Sequence, residues 1–182
     1  METFGTMRQL ITCAAILLAG TVSASAQAVT ATSGDPNVIA TIQATSTAID
    51  RDTARFRRTE HEMRDYSAEG GTLAGFYDGT RLQKLSAYLT GHSGILTQHL
   101  YYSTDQLVFV HSTYEQYETR SRIEHRIYLN GGAPIRRIVT QSLARPTAEV
   151  ASWDPLPELL GRVKHFAECA AATAPTCIAP KR

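Results

Sequence analysis

The sequence predicts an α+β fold: an antiparallel β-meander of six or seven strands, with an N-terminal and a C-terminal helix packed on one face. Three observations predict it. A short phrase recurs through the middle of the chain: an aromatic residue, a turn, then aliphatic residues. It reads Phe76-Tyr77-Asp78-Gly79-Thr80-Arg81-Leu82, then Tyr101-Tyr102-Ser103-Thr104-Asp105-Gln106-Leu107-Val108, then Tyr128-Leu129-Asn130-Gly131-Gly132-Ala133-Pro134-Ile135. β-formers on both sides of an Asp-, Asn- or Gly-rich turn mark a hairpin, and recurrence marks a repeated unit. Apolar residues at helical spacing appear only at the two ends of the mature segment.

The elements follow in order. Asp35-Pro36 supplies an N-cap and a first-turn proline, and Val38, Ile39, Ile42 and Ile49 continue at helical spacing to about Arg51. From Thr53 to Met63 the pattern fits either a continued helix or a first strand; the strand is favoured, since Phe56, Arg58 and Glu60 could then lie along a charged edge. Strands are then expected over Gly71–Tyr77, Arg81–Leu89, Ile95–Tyr102, Leu107–Tyr117, Ile123–Leu129 and Ile135–Thr140. Pro134 cannot donate to a ladder, which makes the last strand an edge or delays its start. Residues Leu143 to Pro155 form a connector that carries Trp153. A second amphipathic helix runs from Leu156 to about Ala170 through Leu159, Leu160, Val163 and Phe166.

The first 26 residues are expected to be a signal peptide. Arg8 is the positive n-region, Leu10 to Val22 the apolar stretch, and Ala24-Ser25-Ala26 the small-residue cleavage site. This implies a periplasmic or secreted protein with no stable membrane span after cleavage. Residues 27–34 read as a flexible arm, 35–171 as a single α+β domain, and 172–182 as a C-terminal tail. The whole chain carries 18 basic and 17 acidic residues. Such neutrality argues against a nucleic-acid partner recruited by long-range charge. After cleavage, Cys169 and Cys177 remain, and in an exported protein one close pair is expected to form a disulfide.

Strand alternation predicts two unequal sheet faces. One is aliphatic and needs the helices as cover. The other carries Phe76, Lys84, Tyr88, His99, Tyr101, Phe109, His111, Glu124, Arg126, Tyr128 and Arg136. Tyr and Arg dominate protein interfaces, so Tyr101, Tyr128, Arg126, Arg136 and Lys84 are the candidate ligand-binding residues. His99 and His111 are expected as diagonal neighbours if Tyr101 pairs with Leu107. With Glu124 they offer the two-His, one-carboxylate donor set of an open zinc site.

Two other clusters carry less. Gly91-His92-Ser93-Gly94 lacks a residue of the hydrolase nucleophile elbow and joins two strands, so it reads as a hairpin turn. His61 and Glu62 lack the second His that a zincin helix requires.

Tyr101 to Val110, Glu69-Gly70-Gly71-Thr72-Leu73-Ala74, and Arg126-Ile127-Tyr128-Leu129 with Ile135-Arg136-Arg137-Ile138 resemble segments of a diffuse group of small exported, largely uncharacterised bacterial proteins. That group carries Tyr-Phe-x-x-Gly-Lys-Leu-Ile hairpin phrases, which are loosely similar to MORN-type repeats that act as interaction scaffolds. The resemblance runs from about Glu69 to Ile138, with Asp105, Pro134 and Arg137 as departures. It implies a fold and brings no catalytic residue.

The chain is therefore expected to be an exported, non-catalytic binding module for a protein or cell-envelope component, using the aromatic and basic sheet face. Two alternatives stay open. One is a metal-dependent hydrolase or metal carrier centred on His99, His111 and Glu124, with zinc as its metal. The other is a structural envelope protein that assembles through its sheet edge or helices.

Overall fold

The computed structural model describes residues 29–31, 34–142 and 156–180. The expected leader and the connector that holds Trp153 lie outside the described residues. The fold is α+β, with a mostly antiparallel sheet and two helices. In chain order the elements are β1 (Val29–Ala31), α1 (Pro36–Asp52), a 3-10 turn (Thr53–Arg55), β2 (Arg57–Arg64), β3 (Gly71–Asp78), β4 (Arg81–Gly91), β5 (Gly94–Ser103), β6 (Gln106–Gln116), β7 (Arg122–Asn130), β8 (Ala133–Ser142), α2 (Leu156–Ala171) and β9 (Thr176–Ile178).

Strands β2 to β8 form a continuous meander, and the full sheet order is β1-β8-β7-β6-β5-β4-β3-β2-β9. Eight strands are antiparallel, more than the six or seven expected. The short β9 adds to β2 in parallel, with Cys177 beside Met63. Two three-residue strands carry too little alternation to be visible in sequence, and β9 lies in the segment read as a tail.

The recurrent phrase has a common structural meaning. Each copy makes a tight hairpin followed by a one-residue bulge at the same place. Phe76 pairs with Lys84 and Tyr77 with Leu82; Tyr101 pairs with Phe109 and Tyr102 with Leu107; Tyr128 pairs with Arg136 and Leu129 with Pro134. Gln83, Val108 and Ile135 are the residues skipped. A bulge leaves its extra residue outside the ladder and sharpens the twist. Here Val108 and Ile135 pack beneath α1, so the repeat adds apolar cover on that side of the sheet.

The helices lie on opposite faces, which corrects the expectation of a shared face. On one face Phe166 and Ala170 of α2 pack with Met63, Leu73, Leu85, Leu100, Val110 and Ile127. Gly75 allows the close approach, because a Cβ there would sit 3.0 Å from the Ala170 Cβ. On the other face Ile39, Ile42 and Ile49 of α1 pack with Tyr101, Phe109 and Tyr128. The physical reason is that the second face holds a row of rings and bulge aliphatics, which is dry enough to demand its own helix. As expected, α1 starts on Asp35, whose Oδ1 accepts from the Asn37 amide at 2.8 Å, with Pro36 next.

Candidate functional site

The ladder pairings place Arg58, Phe76, Lys84, Tyr101, Phe109, Tyr128 and Arg136 side by side across the sheet. Much of the expected binding face is thus one row, and α1 covers its centre. Tyr101 is 3% exposed, Tyr128 2% and Lys84 9%. These three serve as the seat of α1 in place of the open surface the sequence suggested. Asp50 of α1 locks the seat: its Oδ1 accepts from Lys84 Nζ at 2.6 Å and its Oδ2 from the Tyr101 hydroxyl at 2.9 Å. The ammonium also lies 5.0 Å from the Tyr101 ring centroid, a favourable cation–π position. Burial and the Asp50 carboxylate push the Tyr101 hydroxyl well above its ordinary pKa. Gln43 donates to the Tyr128 hydroxyl at 3.0 Å. Arg136, half-buried, stands beside Tyr128 on β8.

The next rows of the same face extend beyond this seat. Ser86, His99, His111 and Arg126 stand abreast on four strands, and Tyr88, Thr97, Thr113 and Glu124 form the row after them. Tyr88 is 43% exposed, Arg126 is exposed, and His99, His111 and Glu124 are half-buried.

Within this strip Ser86 Oγ and His99 Nδ1 share a hydrogen bond of 2.9 Å. The His99 and His111 ring centroids are 6.1 Å apart. His111 Nε2 lies 3.1 Å from Glu124 Oε1, the oxygen that also accepts from Arg126 Nε at 2.6 Å. Burial, helped by the nearby Lys84 charge and by His111, lowers the His99 pKa to about 4; Asp50 opposes the shift. His99 is therefore neutral at physiological pH and is a weak base.

His99 and His111 are direct partners and not diagonal ones, because Leu107 pairs with Tyr102 and not with Tyr101, and the bulge at Tyr101/Tyr102 then shifts the register by one residue more. Their ligating atoms do not converge with Glu124 as a metal site requires. Among the described residues, the one His/Cys/Asp/Glu trio with ligand atoms within 4.8 Å of one another is His165, Cys169 and Cys177.

The other sequence clusters resolve simply. Gly91 pairs with Gly94 and leaves His92 and Ser93 as a turn. His61 is buried, and its Nδ1–H donates to the Ala174 carbonyl at 2.7 Å. Ser86, Thr113 and Asp50 were not marked by sequence. Only the pairing register could have joined Ser86 and Thr113 to the histidines, and only the path of α1 could have brought Asp50 to Lys84.

The expected bond between Cys169 and Cys177 is present, which is compatible with an extracellular location. No helix among the described residues is long and apolar enough to cross a membrane. Compared with known proteins, the chain matches no protein family, no curated protein and no solved structure.

Proposed function

We propose that this protein is an exported, non-catalytic binding module whose contact surface is the strip of the sheet beside α1. One observation carries the reading: on the face where α1 covers the neighbouring row, the strip ends in an exposed ring, Tyr88, and an exposed guanidinium, Arg126, with half-buried His99, His111 and Glu124 and buried Thr113 between them. Tyr and Arg are the residue types that anchor interfaces. A sheet surface of this kind suits a protein or an extended cell-envelope component better than an enclosed small molecule. Of the ligand-binding residues proposed from sequence, Arg126 belongs to this strip and Arg136 flanks it. Tyr101, Tyr128 and Lys84 support it from beneath α1.

The enzyme alternative finds less support. His99 is held neutral by burial and its Nδ1 is engaged by Ser86, while Glu124 is shared between His111 and Arg126. Immobilised wild-type chain and a Tyr88→Ala, Arg126→Ala variant, exposed to the exported fraction of the source cells, separate the readings. The binding reading expects a component held by wild type and released by a variant with unchanged melting. An identical captured set for both proteins removes it.

A further inference from the structure

We propose that the C-terminal disulfide is one state of a redox-gated site for a thiophilic metal ion, with His165, Cys169 and Cys177 as its protein ligands. This site is on the α2 face, remote in the fold from the strip proposed for binding, and the inference does not depend on that reading.

The geometry points to it in three ways. His165 and Cys169 are one helical turn apart on α2, so both side chains project from one helix face. Cys177 comes from β9, which is held to the sheet by its pairing with β2. His165 Nε2 lies 3.7 Å from Cys169 Sγ. A nitrogen and a sulfur bound to one tetrahedral zinc ion, at ordinary bond lengths, are separated by roughly 3.5 Å. The imidazole already stands at ligand spacing, and only the two sulfurs must part.

The surroundings suit the change of state. His165 Nε2–H now donates to the Ile178 carbonyl at 2.9 Å, and Ile178 is 57% exposed, so water can replace that donor. Moving the imidazole proton to Nδ1 frees Nε2 for the metal. It also turns an N–H toward Glu168 Oε2, now 3.8 Å from Nδ1. A carboxylate behind a ligating imidazole is the usual orienting contact in zinc sites. On the other side the Tyr66 hydroxyl lies 3.4 Å from Cys177 Sγ. Cys177 is almost wholly buried, whereas His165 and Cys169 are partly exposed, so reductant and metal enter from the α2 side.

The chemistry balances with a protein or small-molecule dithiol as reductant. Its thiolate attacks Cys169 Sγ and breaks the Cys169–Cys177 bond, and its second sulfur resolves the mixed disulfide. The dithiol leaves oxidised, having passed two electrons and two protons to the cysteine pair. Metal binding then releases the two thiol protons, giving two thiolates and a neutral imidazole as ligands with a fourth position for water.

The test uses the full chain. The oxidised protein is treated under argon with a phosphine, which reduces the disulfide as it takes oxygen from water. Oxidised and reduced samples are then titrated with Co²⁺ and Zn²⁺ alone. The expected result is one ion per reduced chain, a thiolate-to-cobalt charge-transfer band, and no such band in the oxidised chain. His165→Ala can be checked for folding in its oxidised form, and on reduction it should bind at least about tenfold more weakly, with Glu168→Gln weakened by about tenfold. Absence of binding by the reduced wild type would overturn the site. Equal affinity of reduced wild type and His165→Ala would do the same, since it reduces the site to a bare thiol pair.

Discussion

His99 on β5 and His111 on β6 stand directly opposite each other at the edge of the α1 seat, with ring centroids 6.1 Å apart. Burial, helped by the Lys84 ammonium and by His111, holds the His99 pKa at about 4, against an ordinary 6.5. As pH falls below 6.5 the unfolded chain takes up a proton that the folded chain refuses until about 4. The contribution of His99 to stability is thus fully present above pH 6.5, declines between 6.5 and 4, and is level below. Melting curves over this range should fall less steeply for His99→Gln than for wild type. An imidazole NMR titration should place the His99 midpoint near 4; a midpoint near 6.5 contradicts the burial described.

Asp50 fastens α1 to the sheet through Lys84 and Tyr101. Asp50→Ala strands a nearly buried ammonium without its carboxylate. Since Asp50 itself is half exposed, a loss of about 2 kcal/mol is expected in urea unfolding. Adding Lys84→Met should recover a large part of that loss, because the stranded charge is then gone. A double variant as unstable as the sum of the singles would show that the pair does not act as a unit.

Thr104 and Asp105 form the β5–β6 turn with φ of 47° and 62°, a left-handed conformation that costs a β-branched residue energy. The equivalent β7–β8 turn uses Gly131 and Gly132 at 57° and 78°. Thr104→Asn with Asp105→Gly installs the pair preferred in such turns. The urea midpoint should rise by the equivalent of about 1 kcal/mol with an unchanged slope. A lower midpoint would contradict the turn geometry.

The opposed helices make a further prediction. Ile42 belongs to the cluster under α1 and Phe166 to the cluster under α2, with the sheet between them. Ile42→Val and Phe166→Leu should each cost on the order of 1 kcal/mol. Combined, they should add to within about 0.5 kcal/mol. Strong coupling between them would instead indicate one shared core.

Much of the meander was legible because its signals are local. The turn residues, the period-two alternation and the Asp35-Pro36 helix start each act over a few positions, and the strands and helices fall close to where those signals put them. What escaped is long-range. Tyr101, Phe109 and Tyr128 look in sequence like ligand-facing rings on a mixed face, because nothing local says that α1 will cross them. The bulge after each turn is likewise silent, yet together with a turn that closes on Tyr102 and Leu107 it makes His99 and His111 direct neighbours. The Asp50–Lys84 contact joins residues from separate elements, so no spacing rule could have found it.

A contact surface at the strip beside α1 can be mapped in the cell. Its most direct test is a photo-crosslinking residue placed at Tyr88, with a control at exposed Thr80 in the β3–β4 turn, each expressed in the source cell and irradiated. A discrete adduct is expected from position 88, absent from position 80 and lost when Arg126→Ala is added. No adduct at 88, or the same adducts from both positions, would contradict it.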